Sequence, residues 1–542
     1  MTQIVLNREN STWIILAPAM VFVFPFVSLV SHHQYGLLNP EVGVIFASSF
    51  VVGLVLGCLH LSHVIIRTVF LSLWITISFV AQLNLSLPYS LALLVSLITV
   101  GIVIRRSYST VAFVFFLTLS VVSVIKGSDN EFVSHEVVSN NPDLPAYIHI
   151  VLDGHIGIGG IPPEVPGSAE FRQEYTNFLE QNGFSMFTGA YSQYIATINS
   201  LRNLFNFTSN NTNVFFDQGD AKTVSSTLDR PLYFKILHDQ GYALRIFHPQ
   251  YLDYCSANRD WVSYCHRYPN INLQSIENSD FTTIEKATLM MQTLLKQSVL
   301  IEGYYHSLKW RFGLPALKAR QVPGVNQNLI DVLANDIEHH ARGYAYIAHL
   351  LAPHAPFVYD SECILQTQRT YDEIQAKDPA VTWKLVDDKI RVIRPPGFQK
   401  TRALRYGHYF EQIRCITKWL AQLFSALETA NAYDDATIIL HSDHGSKIGS
   451  LSARTLWQHE MTTADYIDTY SSLFAVKHAR TKPQINDSFL SLQEILADVV
   501  ENEFSIPLDT FQGPPFVYML SDDHPTVLDK KPVKNFINSR QQ

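Results

Sequence analysis

Apolar and polar positions divide the chain into two unlike stretches. Five apolar runs fill the first quarter, at residues 13–30, 42–59, 68–83, 91–104 and 111–125. A bilayer core about 30 Å thick takes about 20 helical residues, so the later, shorter runs extend into their polar flanks. Five such runs in succession predict five transmembrane helices. From residue 146 the pattern changes. Short β-branched runs at 147–152, 243–247, 344–351, 436–440 and 472–476 alternate with helical patterns. That alternation predicts an α/β domain with a mostly parallel central sheet flanked by helices. One helix places Phe171, Tyr175, Phe178 and Leu179 on a single face and ends near Gly183. A second does the same with Ile413, Ile416, Leu420, Leu423 and Leu427, just before the run at 436–440. The expected organisation is therefore a transmembrane domain (1–127), a polar, turn-rich linker (128–145), a large domain (146–480) and a C-terminal extension (481–542). A helix near 490–501 fits the extension, to which the pattern gives no role.

Charge sharpens the division. The chain of 542 residues is 47% hydrophobic and only 16% charged, against about 25% charged in an average globular protein. The deficit lies in the first quarter, whose charged residues are Arg8, Arg67, Arg105, Arg106 and Lys126 with Glu9 and Glu41. The remainder is mildly acidic, which excludes a wholly soluble or a disordered chain and offers nucleic acid no basic face. Positive charge belongs on the cytoplasmic side. With the N-terminus inside, Arg67 and the Arg105–Arg106 pair also fall inside, while the loops at 32–40 and 84–88 lack Lys and Arg and fall outside. No A-x-A-like cleavage site comes after the first run, so it is not read as a signal peptide. Five crossings then deliver the large domain to the outside. The expectation is a multi-pass protein of the cytoplasmic (inner) membrane with a periplasmic or extracellular domain. Of the cysteines, Cys58 lies in a membrane run, and Cys255, Cys265, Cys363 and Cys415 lie in the exported region. Four cysteines allow three connectivities. Cys255 and Cys265, ten residues apart, are the favoured pair in an oxidising compartment. Four free thiols are the alternative, since so large a domain needs no staples.

The residues just past the strands carry the candidate chemistry. The run at 147–152 ends in Asp153-Gly154, that at 344–351 leads into Ala-Pro-His354-Ala-Pro, and that at 436–440 leads into His441-Ser-Asp443-His444-Gly445. In open parallel sheets ligands bind beyond the carboxyl ends of the strands, so these residues converge on one crevice. Carboxylates and imidazoles suit a divalent cation such as zinc or manganese, with calcium less apt. Taken singly, Asp-Gly is an ordinary turn and a lone His beside Pro an ordinary loop residue. An Asp-His pair after a buried strand has no packing purpose, and the joint pattern outweighs each member.

In order and spacing, AYIHIVLDGH, FLEQNGFSMFTGAYSQYIATINSLRNLF, AHLLAPHAPFVYD and DDATIILHSDHG resemble the alkaline-phosphatase/sulfatase superfamily over residues 145–480. The five apolar runs ahead of that domain resemble the phosphoethanolamine transferases of lipid A and the lipoteichoic acid synthases. The resemblance implies an alkaline-phosphatase-like fold and a nucleophile at the start of the helix in Thr197-Ile198-Asn199-Ser200-Leu201. Where sulfatases carry Cys/Ser-x-Pro-x-Arg, oxidised to formylglycine, this chain has Thr197, Asn199 and Leu201. That departure implies a Thr197 nucleophile. It also implies metal ligation by Asp153, Thr197, Asp443 and His444, with His354 and His459 as substrate-binding histidines. A single tightly held metal is expected. The function implied is a membrane-anchored, metal-dependent transferase of a phosphoethanolamine- or phosphoglycerol-type group. Its partners would be a phospholipid donor and an envelope lipid or glycan acceptor. The alternatives are a sulfatase-like hydrolase (a phosphodiesterase or sulfuric ester hydrolase) and, from another class, a non-catalytic envelope protein.

Overall fold

The computed structural model describes the chain apart from residues 1–10, 211–226, most of 297–323, 367–381, 449–461, 521–527, 534–542 and short stretches elsewhere. The chain forms two compact units. The first comprises Met1–Asp129 and Ile271–Pro323; the second comprises Asn130–Asn270 and Gly324–Gln542.

In the first unit the five apolar runs form α1 (Ser11–His32), α2 (Pro40–Leu59), α3 (Val64–Leu83), α4 (Leu87–Ile104) and α5 (Tyr108–Lys126). Four of them, α1, α2, α4 and α5, are long and apolar enough to cross a membrane. The expected count of five is corrected at α3, whose apolar part narrows to Ile65–Val80 and includes Arg67. The unit turns apolar side chains outward: Val103 and Ile125 are each 77% exposed, which suits contact with lipid tails rather than water. Its interior joins Ala17, Val21, Phe24, Leu71, Ile75 and Phe116. Close helix approach depends on small residues: a Cβ at Gly53 would lie 2.3 Å from Ala19 Cα. Residues 271–323, which the sequence pattern places inside the large domain, group with this unit through α9 (Gln274–Glu277) and α10 (Thr283–Lys296).

The second unit is built on a nine-stranded sheet. Its strands are β1 (Glu131–Phe132), β2 (Tyr147–Leu152), β3 (Ser185–Phe187), β4 (Ala243–Pro249), β5 (Val262–Tyr268), β6 (Tyr344–Leu350), β9 (Thr437–His441), β10 (Phe474–Lys477) and β11 (Ile485–Asn486). A separate hairpin supplies β7 (Thr382–Val386) and β8 (Lys389–Ile393), and another supplies β12 (Phe516–Leu520) and β13 (Leu528–Pro532). The order is β1-β5-β4-β6-β2-β9-β10-β3-β11. The centre, from β5 to β9, is parallel, while β10 runs antiparallel to both β9 and β3. Every residue of β2, β4 and β9 is buried, as expected for parallel strands covered on both faces. The helices of this unit are α6 (Ser168–Gln181), α7 (Thr197–Leu204), α8 (Leu232–Asp239), α11 (Gln327–His340), α12 (Phe398–Thr429), α13 (Thr463–Tyr470) and α14 (Leu492–Phe504). The C-terminal extension is part of this unit. Leu492, Ile495, Leu496 and Val500 of α14 share a core cluster with Leu201 and Leu204 of α7, so the tail braces the helix that carries Thr197.

Candidate functional site

The site lies where β2 and β9 end side by side, paired in parallel from Tyr147↔Thr437 to Val151↔His441. Asp153 comes directly after β2, and Asp443 and His444 come after β9; all three are buried. Their free atoms converge. His444 Nε2 is 3.3 Å from Asp443 Oδ2 and 3.5 Å from Asp153 Oδ1, and those two carboxylate oxygens are buried without a hydrogen-bond partner among the described residues. His444 Nδ1 is 2.8 Å from the Gly445 carbonyl. That contact places the ring proton on Nδ1 and turns the Nε2 lone pair toward the carboxylates. Burial lowers the His444 pKa to about 4, so the ring is neutral near pH 7. Two unpaired carboxylate oxygens facing a bare imidazole nitrogen are costly without a cation between them. The donor set fits a divalent ion. Among the described residues the other cluster of such groups is His248, Cys255 and Cys265, but its sulfurs are joined in a disulfide.

Two glycines make this convergence possible. Gly154 has a φ of 72°, a left-handed turn that most side chains avoid, and its N–H donates to Asp443 Oδ1 at 3.1 Å. At Gly445 a Cβ would lie 2.5 Å from the Asp468 carbonyl, which accounts for the glycine after Asp443-His444. The loop after β2 is held further by Tyr409, whose hydroxyl donates to the Gly154 carbonyl at 3.0 Å and accepts from Ile156 N–H at 2.7 Å.

Thr197 is the first residue of α7 and is half-buried. Tyr251 stands beside the acidic pair: its hydroxyl donates to Asp153 Oδ2 at 3.4 Å. Burial and then the charges of Asp153 and Asp443 push the Tyr251 phenol well above its ordinary value, so it stays a donor. Ser200 lies one turn along α7 and is fully buried. Its hydroxyl donates to the Asp443 carbonyl at 2.7 Å and is 3.2 Å from Ser192 Oγ. The residue three places after Thr197 thus fastens α7 to the Asp443 loop, and on a helix the (i, i+3) spacing puts both on the same side.

His354 sits at the rim. It is exposed, its ring centroid is 6.2 Å from that of His444, and its Nδ1 is 2.7 Å from the Ala355 carbonyl. His459 falls outside the described residues. The structure therefore brings Asp153, Thr197, Asp443, His444 and His354 together.

It also adds residues that sequence reasoning missed. His349, fully buried in β6, places Nε2 3.4 Å from Asp153 Oδ2 and Nδ1 2.9 Å from Tyr254 Oη. The signal was present, since a histidine inside an otherwise apolar strand needs a partner. Burial raises the Asp153 pKa, but the histidines 354, 349 and 444 around it outweigh that and hold it below the usual carboxylate range. Tyr251 carried no such signal; its loop reads as surface.

Both expected and unexpected disulfides are formed: Cys255–Cys265 and Cys363–Cys415.

Solved structures that match the chain share little sequence with it. Ps i-CgsB in complex with k-i-k-neocarrahexaose is 13% identical, with a TM-score of 0.37, covering 68% of this chain and 73% of that one. The C-terminal periplasmic domain of EcEptC from Escherichia coli, a complex with Zn, is 12% identical (TM-score 0.39; 74% and 97% covered). The phosphonate monoester hydrolase of Agrobacterium radiobacter is 13% identical (TM-score 0.38; 70% and 80% covered). No curated protein matches the chain. The family model described as Sulfatase matches residues 166–501. That match spans more than half of the chain, which therefore belongs to the sulfatase family.

Proposed function

We propose that the chain is a membrane-anchored transferase. It would move a phosphoethanolamine- or phosphoglycerol-type group from a phospholipid to an envelope lipid or glycan, outside the cytoplasmic membrane. The observation that carries this reading is Thr197 at the start of α7, a helix whose Ser200 fastens it to the Asp443 carbonyl beside the Asp153–Asp443–His444 cluster. A threonine is no precursor of formylglycine, and Ser200, the nearest hydroxyl on the same helix, is spent on the Asp443 carbonyl. There remains a threonine oxygen at a helix N-terminus, where backbone N–H groups favour a phosphate.

Asp153, Asp443 and His444, with Thr197, would hold one divalent ion, zinc or manganese. When bound, it supplies positive charge that favours an ionised Thr197 oxygen and offsets charge on the phosphoryl oxygens. Thr197 Oγ attacks the donor phosphorus as its proton passes to solvent. The Thr–O–P bond forms, the bond from phosphorus to the diacylglycerol oxygen breaks, and that oxygen takes up a proton. His354, exposed at the rim, is placed to give it. An acceptor hydroxyl then attacks phosphorus, losing its proton to the same imidazole, while the Thr–O–P bond breaks and the departing Thr197 oxygen takes a proton back from solvent. His459 would contact the substrate.

Topology agrees with this reading. The apolar helices α1, α2, α4 and α5 would anchor the chain in the membrane, and the Lys/Arg pattern of the first quarter would place the second unit outside. Its two disulfides suit an oxidising compartment. Proteoliposomes holding the full chain, a phospholipid labelled in its headgroup and an envelope glycolipid test the reaction. Label moving to the glycolipid supports transfer. Label released only to water assigns a hydrolase instead, and label left on the donor removes the reading.

A further inference from the structure

The imidazole of His354 is exposed at the rim, so its place is set by the turn that carries it rather than by packing. That turn is poor in donors of its own, because Pro353 and Pro356 carry no N–H. A side chain from α12 holds it. Gln412 is buried, and its Oε1 accepts from Val358 N–H at 2.9 Å and from Tyr359 N–H at 3.3 Å. Its Nε2 donates to the carbonyls of Pro353 at 3.1 Å and His354 at 3.4 Å. Two donors on one side and two acceptors on the other leave the amide a single orientation. Neighbouring turns of α12 hold the other loops of the site. Tyr409, one turn before Gln412, bonds the loop after β2 at Gly154 and Ile156. Tyr406, a further turn back, donates to Asp468 and has its hydroxyl 3.2 Å from Ser446 Oγ in the loop after β9. One helix thus braces the three loops that carry Asp153, His354 and the Asp443-His444 pair.

We propose that Gln412 is a positioning residue for His354. By bonding the chain at His354 and beyond it at Val358 and Tyr359, the amide keeps the imidazole beside the Asp153–Asp443–His444 cluster. There its ring centroid is 6.2 Å from that of His444, and it gives a proton to the departing oxygen. The inference rests on the transfer reading, in which His354 is that proton donor. All four bonds of the Gln412 amide go to the His354 turn. Their loss should therefore impair the proton transfer and spare both metal binding and the attack of Thr197.

Gln412→Met keeps the length and helix preference of the side chain but removes its amide. The full chain in proteoliposomes is given two donors. One is phosphatidylethanolamine or phosphatidylglycerol labelled in the headgroup; the other is the 4-nitrophenyl ester of the same headgroup phosphate. Nitrophenolate leaves without a proton, so its single-turnover burst reports the attack of Thr197 without the acid. Gln412→Met should lower transfer from the phospholipid about 100-fold, the scale of a group misplaced by about 1 Å, and leave the burst nearly unchanged. In a His354→Ala background the same substitution should cost nothing more, since a residue acting through another is silent once that one is gone. Hydrogen exchange at Val358 and Tyr359, followed without donor, should quicken about tenfold, the scale of one lost hydrogen bond. Equal losses on both donors would make Gln412 a fold residue only and overturn the proposal. A further loss in the His354→Ala background, or unchanged exchange, overturns it too. A wild type inert toward both donors removes the transfer reading, and exchange then judges the clamp by itself: quickened exchange supports it and unchanged exchange overturns it.

Discussion

The two units solve burial in opposite ways. In the first, apolar side chains face outward and the interior takes small and hydroxyl-bearing residues: Ser72 Oγ is 2.8 Å from Tyr108 Oη, and Thr76 donates to the Ser72 carbonyl. In the second, the sheet is apolar at its centre, but its strands carry an unusual set of buried histidines: His149, His248, His349 and His441. Hydroxyls satisfy themselves within a helix and cost little. Buried imidazoles and carboxylates do not, and they persist only where neighbours hold them in place. Charge buried at the ends of β2 and β9 is thus the anomaly of the molecule, and it coincides with the residues the strand pattern singled out.

The largest expected effect falls on the nucleophile. Thr197→Ala should lower transfer by roughly 10⁴-fold or more, the scale of removing a covalent nucleophile, with stability nearly unchanged. Thr197→Ser should keep part of the activity. Ser200→Ala should show the reverse balance: a thermal shift from a lost buried hydrogen bond of about 1–2 kcal/mol and a smaller loss of rate. Intact-mass analysis of stalled enzyme should find the phospho-adduct on the Thr197 peptide, and an adduct on Ser200 would reassign the nucleophile.

Asp443→Asn comes next. The amide oxygen still accepts from Gly154 N–H, so the fold should survive. The loss of a charged oxygen should weaken metal binding by more than about 100-fold, beyond the cost of losing an outer partner. Metal content after dialysis decides it, and wild-type content would take Asp443 out of the site.

The buried histidines predict how the second unit responds to acid. Burial lowers His155, His248 and His441 to about 4, against about 6.5 in an unfolded chain. Between those values the unfolded chain binds more protons, so stability is complete above about pH 6.5 and is lost as pH falls toward 4. Near-UV melting of the second unit's aromatics should drop steeply over that window, while the helical signal of the first unit, held by apolar packing, persists. A flat profile would mean that these rings are solvated.

The smallest effect lies in the membrane unit. Gly53→Leu should force α1 and α2 apart and destabilise that unit by about 1–3 kcal/mol, read as a thermal shift in detergent with the metal content of the second unit unchanged.

Much of this was legible in the residues alone, because the signals are local. Apolar runs gave α1 to α5, and β-branched runs gave β2, β4, β6, β9 and β10 within a few residues. The position of Asp153, Asp443, His444 and His354 after strand ends was enough to gather them, since parallel strands share one carboxyl edge. Tertiary structure alone decided the rest. That α10 leaves the large domain to pack on α1 and α2, that Tyr251 reaches Asp153, and that Ser200 reaches the Asp443 carbonyl all depend on partners far apart in sequence. Periodicity reports which face of an element is buried, but not what buries it. The partner is chosen only when the whole chain closes around the sheet.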